Sequence, residues 1–338
     1  MESLATLYRP KTFDEVVSQI SVVKILERQL ELGEFKNAYL FAGASGCGKT
    51  TIARIFANRI NCGVGSPIEI DAASNNGVDN VKTIIKDANE RSIDSKYKIY
   101  IIDECHSLTT QAWQAFLKCI EEPPKYTIFI FCTTDPQKVP DTIKNRVQKF
   151  TFNRIGVEKV RERLAFICRN EGFTDYEESV DYLAKISDGG MRTAISYLDK
   201  CASYSTNLNI SNVLASLGNY SYDTFFNIIN SMIDGDERGV LQSISDFYDE
   251  GNDLKLFVEQ FLNFCMDVTK YALFKTCAST RIPSSMEPKL VHATSFDNAP
   301  KYYTYVIDKL LGLKNMLKND NSPRSTIEII FLQITRCA

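Results

Sequence analysis

The run Gly43-Ala44-Ser45-Gly46-Cys47-Gly48-Lys49-Thr50 constrains this chain more than any other stretch. It satisfies the phosphate-loop pattern G-x-x-x-x-G-K-[ST] at every required position. Residues 38–42 before it (Ala-Tyr-Leu-Phe-Ala) form a short apolar run suited to a buried parallel strand. Residues 51–57 after it place apolar side chains at helical spacing. Strand, glycine loop and helix is the order that phosphate binding requires. The glycines let backbone N–H groups converge on phosphate oxygens, and the helix N-terminus adds a favourable dipole. Lys49 is expected to reach the β- and γ-phosphates, and the Thr50 hydroxyl to ligate Mg²⁺. A glycine-rich turn without a ligand is the competing reading, and the flanks argue against it.

Downstream, residues 66–71 read as a second strand and 72–77 as a loop. A helix is expected from Val78 to Glu90. Residues 97–104 (Tyr-Lys-Ile-Tyr-Ile-Ile-Asp-Glu) form an apolar strand ending in two carboxylates, the Walker B pattern. Asp103 is expected to hold Mg²⁺ and Glu104 to polarise the attacking water. A helix follows from Trp113 to Glu122, stopped by Pro123-Pro124, and residues 126–132 form a further buried strand. Thr134 at its end would lie beside the phosphate loop, because ligands collect at the carboxyl ends of parallel strands. It is placed to sense the γ-phosphate or to orient the water. Residues 147–152 close the sheet. Alternation from 38 to 152 therefore predicts an α/β domain with a mostly parallel sheet and helices on both sides.

Before the loop, residues 7–17 suggest an extended lead-in, followed by a helix from about Ser21 to Leu32. After residue 157 the pattern is helical only. About four helices are expected over 157–217. Ser187-Asp188-Gly189-Gly190 precedes one that starts near Met191. Arg192 sits in that helix's first turn, where a cation opposes the dipole, which hints at a partner anion. Residues 218–222 read as a boundary, 223–338 as helical, and 281–300 as a loop-rich connection.

A length of 338 residues implies two or three domains. They are read as 1–153, 154–219 and 220–338. The net charge of −3 does not mark a nucleic-acid binder, so any DNA contact must be local. No apolar run is long enough to span a membrane, and the N-terminus lacks the features of a signal peptide, so a cytoplasmic protein is expected. The ten cysteines show no C-x-x-C pair, so neither a disulfide framework nor a zinc site is legible. Two histidines, His106 and His292, leave little scope for His-based metal or triad chemistry.

YRPKTFDEVVSQ, GASGCGKT, EIDAASNNGVDN, IIDECHSL, CIEEPP, CTTDPQKVPDTIKNR and GGMRTAISYLDK, taken together and in this order, resemble the AAA+ clamp-loader ATPases. The nearest likeness is to the bacterial DNA polymerase III gamma/tau subunits. The motifs cover about 1–217, and the last third resembles the family's helical collar only in length and helicity. The resemblance implies an AAA+ P-loop domain, a small helical lid and an all-α collar. It implies ATP and Mg²⁺ as ligands. Ser45, Gly46, Cys47, Gly48, Lys49, Thr50 and Thr51 would hold the phosphates. Tyr8, Arg9, Val16 and Val17 would border the adenine. Thr134 matches sensor 1, and Arg192 matches sensor 2, which contacts the γ-phosphate in cis. Arg146 matches the finger that acts on the ATP of a neighbouring subunit. Ser74, Asn75, Asn76, Lys82 and Thr142 fall where the family tracks the template backbone. The implied partners are a sliding clamp, primer–template DNA, and delta-like and delta-prime-like subunits in a pentamer.

Two departures stand out. The family's Ser-Arg-Cys reads Asn145-Arg146-Val147. The family's four-cysteine zinc module is reduced to Cys62, so no zinc is expected. The chain also stops near the collar, which with the missing module suggests a compact, divergent or phage-encoded version. The competing functions are another AAA+ DNA motor such as a branch-migration helicase, a non-hydrolysing structural loader subunit, and a pure partner-binding scaffold. A motor of that kind usually carries a C-terminal winged helix. A structural subunit loses the phosphate-loop lysine or the acidic pair, and both are present. A scaffold has no need of Arg146 and Arg192 at matching positions.

Overall fold

Strands made of continuous apolar runs must be covered on both faces, and the chain meets that demand with helices on either side of one sheet. A computed structural model describes residues 2–320 and 322–336. The chain divides into two compact units, Met1–Ile167 with Ser187–Asp199, and Cys168–Ile186 with Lys200–Ala338.

The first unit begins with α1 (Leu4–Leu7), a 3₁₀ turn at Phe13–Glu15 and α2 (Ile20–Leu32). The lead-in is thus less extended than its prolines and polar residues suggest. Leu4 and Phe13 are buried, and that anchorage accounts for the two short turns. There follow β1 (Ala38–Gly43), α3 (Lys49–Ile60), β2 (Ile68–Asp71), α4 (Val78–Ala88), β3 (Lys98–Asp103) and α5 (Thr110–Glu121). β4 (Thr127–Thr133), α6 (Asp141–Lys144) and β5 (Gln148–Phe152) complete the alternation. The helices α7 (Val157–Glu171) and α9 (Met191–Tyr204) each begin in this unit, with α8 (Glu177–Ile186) between them in sequence. The four helices expected over 157–217 are therefore present, with α10 (Ile210–Leu217) as the last.

The sheet order is β2-β3-β4-β1-β5, and every pairing is parallel. Period-two alternation divides the strands between two cores. Tyr39 and Phe41 of β1 face α2 and α3, together with Ile99, Ile101, Ile128, Ile130 and Phe150. Ala38 and Leu40 face the other way, with Tyr100, Ile102, Phe129 and Phe131, against Val81 of α4 and Phe116 of α5. Trp113 lies in this second core, 5.4 Å from the Phe131 ring. β1 sits between β4 and β5, so the loop that follows it leaves from the interior of the sheet.

Where α3 ends, the link to β2 is short and folded. Cys62, Gly63 and Gly65 all take positive φ. The Asn61 side chain donates to the Tyr97 carbonyl at 2.8 Å and accepts from the Tyr97 N–H at 2.9 Å.

The second unit is helical: α11 (Tyr222–Ile233), α12 (Glu237–Asp249), α13 (Leu254–Phe274), α14 (Glu287–Ala293), α15 (Ala299–Met316) and α16 (Pro323–Thr335) follow α10. Its core is aromatic, with Phe225, Phe257, Phe261, Phe264 and Phe331 packed ring to ring. Asn209, Ser221, Asp236 and Asp253 cap four of its helices with side-chain oxygens. The stretch 281–300 is more ordered than a loop-rich connection. It contains α14, whose Pro288 sits in the first turn, where a missing N–H costs nothing, and whose Leu290 and Ala293 are buried.

Candidate nucleotide-binding site

The end of β1 cannot carry a side chain: a Cβ on Gly43 would lie 2.3 Å from the Phe152 carbonyl oxygen. From there the loop turns through Gly46 (φ +73°) and Gly48 (φ +102°), conformations that favour glycine. Gly48 is the N-cap of α3, and no side chain caps that helix. Its first-turn N–H groups are left to face whatever occupies the loop. Lys49 is buried, and its Nζ donates to the carbonyls of Gly43 and Ala44, both at 2.9 Å. A buried ammonium held only by loop carbonyls is ready to exchange them for phosphate oxygens.

The Thr50 hydroxyl donates to Asp103 Oδ2 at 2.7 Å, joining α3 to the end of β3. A hydroxyl and a carboxylate oxygen side by side are donors that Mg²⁺ accepts, so the two residues fit that ion. β3 ends at Asp103, and Glu104 adopts the left-handed conformation (φ 47°, ψ 41°), uncommon for a non-glycine residue and typical of functional turns. Glu104 Oε2 accepts from the Thr134 hydroxyl at 3.1 Å and lies 3.2 Å from His106 Nδ1. His106 Nδ1 is also 3.2 Å from the Thr133 hydroxyl oxygen. β4 ends at Thr133, so Thr134 is the first residue beyond the strand.

The loop lines a cleft of about 320 Å³ that lies within the first unit. Tyr8, Arg9, Val16, Val17, Ser45, Gly46, Cys47, Gly48, Lys49, Thr50, Thr51, Asp103, Glu104 and Arg192 all line it. Burial raises the Cys47 thiol's pKa, with the Lys49 charge opposing, so at this position it acts as a small apolar side chain. Arg192 makes no hydrogen bond or ion pair among the described residues, which leaves it available to an anion. Thr134 and Arg146 are not part of the lining. Arg146 is exposed; its guanidinium meets Glu121 Oε1 at 2.7 Å and the Thr142 carbonyl at 2.9 Å.

The candidate DNA residues lie on other loops. Ser74 donates to Asp71 Oδ2, Asn75 donates to the Asp71 carbonyl, and Lys82 pairs with Asp79 at 3.5 Å. Ser74, Asn76, Lys82 and Thr142 are exposed and Asn75 half-buried.

Sequence reasoning missed four residues. His106 lies against the Glu104 carboxylate. Gln19 is buried beside the phosphate loop. Arg163 of α7 lines the cleft, donates to the Tyr8 carbonyl at 2.9 Å, and stacks over Phe166. Arg54 lines it too and pairs with Glu69 at 2.5 Å. His106 stood in plain view two residues after the acidic pair; the other three carried no local signal.

The model of the DNA polymerase III delta subunit matches residues 66–156, and that of DNA polymerase III gamma and tau domain III matches 208–335. The tau subunit of Bacillus subtilis DNA polymerase III is 32% identical over 98% of this chain and 63% of its own length. The gamma/tau subunit of Mycoplasma genitalium is 30% identical over 89% of this chain and 53% of its own. The Escherichia coli tau subunit is 33% identical over 72% of this chain and 41% of its own. The chain therefore spans only part of the length of these relatives. Among solved structures, the Thermotoga maritima RuvB Holliday junction branch migration motor aligns with a TM-score of 0.53 at 21% identity. That alignment covers 67% of this chain and 79% of the other, and it shows a shared fold.

The five-stranded parallel sheet, the phosphate loop and the helical second unit define a P-loop protein of the AAA+ class. Within that class, the chain belongs to the family of the DNA polymerase III gamma and tau subunits.

Proposed function

We propose that this chain is the ATP-hydrolysing subunit of a sliding-clamp loader. One observation carries the reading. Lys49, Thr50, Asp103, Glu104 and Arg192 converge on one cleft, while Arg146 stands outside it on the surface. An arginine so placed serves the cleft of a neighbouring subunit better than its own.

On this reading ATP lies with its base against Tyr8, Arg9, Val16 and Val17 and its phosphates in the loop from Ser45 to Thr51. Mg²⁺, held by Thr50 and Asp103, would offset charge on the β- and γ-phosphates. Lys49 trades the Gly43 and Ala44 carbonyls for phosphate oxygens. Glu104, held by Thr134 and His106, accepts a hydrogen bond from the attacking water and polarises it. Arg192 meets the γ-phosphate from within the subunit, and Arg146 completes the neighbour's site. Ser74, Asn75, Asn76, Lys82 and Thr142 contact template phosphates. The division into 1–153, 154–219 and 220–338 belongs to the same reading, with the last segment as a collar that joins subunits. So does assembly as a cytoplasmic pentamer with delta-like and delta-prime-like subunits. Among the described residues no helix is long and apolar enough to cross a membrane.

Steady-state ATPase of the assembled loader tests the proposal, measured with and without the clamp and primed DNA. Strong stimulation by clamp and primed DNA together supports it. Activity driven by junction or duplex DNA and indifferent to the clamp would replace it with a motor.

A further inference from the structure

A phosphate-binding loop turns its N–H groups inward, so its carbonyls must point outward, where each needs a donor of its own. Accounting for those donors singles out Gln19. The carbonyls of Gly43 and Ala44 accept from Lys49, which a nucleotide would draw away. The Gly46 carbonyl accepts the Met191 N–H at 3.0 Å. The Cys47 carbonyl accepts from Gln19 Nε2 at 3.3 Å. The last two donors lie outside the loop and need not move when phosphate arrives.

The Gln19 amide is fully used. Nε2 also donates to the Asn153 carbonyl at 2.7 Å, and Oε1 accepts the Asn153 N–H at 3.2 Å. A flipped amide would set Oε1 against two carbonyl oxygens, so this orientation is the only one that satisfies every partner. The residue is 8% exposed and its backbone left-handed, with φ 68°. Neither burial nor backbone suits a glutamine without a specific task. Asn153 follows β5 directly and opens the link to α7. In that link the Ile155 N–H donates to the Gly189 carbonyl, and Arg154 pairs with Asp188. Gly189 is pressed against it: an added Cβ would come within 2.8 Å of the Ile155 carbonyl. The phosphate loop is thus tied to both links, 153–155 through Gln19 and 190–191 through Met191.

We propose that Gln19 is a positioning residue for the nucleotide site. It keeps the Cys47 peptide turned so that the loop's N–H groups face the phosphates, and it couples that posture to the link leading into α7. The proposal rests on the nucleotide reading above. It predicts an effect that depends on phosphate rather than on the base.

The test compares the full wild-type chain with Gln19→Ala and Gln19→Glu. The probes are N-methylanthraniloyl-ADP and, by competition, adenosine, with thermal melting recorded without nucleotide. Gln19→Glu keeps the shape and the acceptor but loses both donors, so it remains informative if Gln19→Ala folds poorly. Both variants should bind the ADP probe roughly tenfold or more weakly, the usual scale for leaving a buried carbonyl unpaired. Adenosine affinity should stay near wild type. The Gln19→Glu defect should shrink as pH falls, because a protonated carboxyl regains one donor. Variants that bind the ADP probe as wild type does would overturn the proposal alone. So would an equal loss for adenosine and the ADP probe, which marks general damage to the cleft. A wild-type chain that binds no nucleotide would sink the nucleotide reading, and this proposal with it.

Discussion

Glu104 is held by two neighbours of different kinds, and they can be separated. The Thr134 hydroxyl donates to the same Oε2 that faces His106 Nδ1, and His106 in turn rests on Thr133. Removing His106 frees the carboxylate to rotate without touching the phosphate loop. His106→Ala should lower kcat roughly tenfold and leave the KM for ATP within about twofold, with partial recovery in His106→Asn. A KM raised as far as kcat is lowered, with no rescue by asparagine, would make His106 a structural residue. Lys49→Ala should behave differently. It removes the only cation buried in the loop, and both nucleotide affinity and turnover should fall, turnover by roughly a hundredfold or more. Ligand-binding titration beside steady-state ATPase separates the two effects. At this scale the sequence was readable wherever function needs residues close together in the chain. The phosphate loop, the acidic pair and Arg192, each singled out from the sequence, line one cleft. Gln19 could not be read the same way, because its partner Asn153 is 134 residues distant and nothing near either residue advertises the pairing.

Between elements, stability comes from apolar layers with a few polar fasteners. One fastener joins α4 to β3: Asp87 takes Lys98 at 2.7 Å and the Tyr100 hydroxyl. Hydrogen bonds from Lys98 and Tyr100 hold its carboxyl below the usual range. A depressed carboxylate contributes stability above its unfolded pKa and loses it as pH falls through the folded one. Asp87→Ala should therefore cost a little stability at neutral pH, no more than ~1 kcal/mol for so exposed a group, and nothing in strong acid. Melting curves across the acid range check this; a gap that persists at the acid end would contradict it. In the second unit the aromatic core dominates. Phe261 is fully buried against Phe257, Phe264 and Phe331. Phe261→Ala should cost ~3–5 kcal/mol, read by denaturant unfolding. β1, β3 and β4 were legible because apolar runs bounded by turns admit few alternatives, whereas β2 (Ile-Glu-Ile-Asp) and β5 (Gln-Lys-Phe-Thr-Phe) alternate apolar and polar residues and were read from that period and their place between helices. The helix α14 was not, because seven residues with a proline in the first turn and little periodicity look like a loop until Leu290 and Ala293 find a core.

For the molecule as a whole, the proposed function leaves the site of one chain in need of a group from another. Arg146 is fixed at the surface by Glu121, outside the cleft its own subunit forms. The proposed reading as a clamp-loader ATPase requires that this arginine serve a seam between copies. The most direct measurement is ATP turnover, with clamp and primed DNA, of assemblies mixed from Lys49→Ala and Arg146→Ala subunits. Each variant alone should be nearly inactive. In mixtures, a Lys49→Ala subunit can lend its intact arginine to the intact cleft of an Arg146→Ala neighbour, so activity should reappear. Mixtures as inactive as the separate variants, or an Arg146→Ala assembly as active as wild type, would contradict the account.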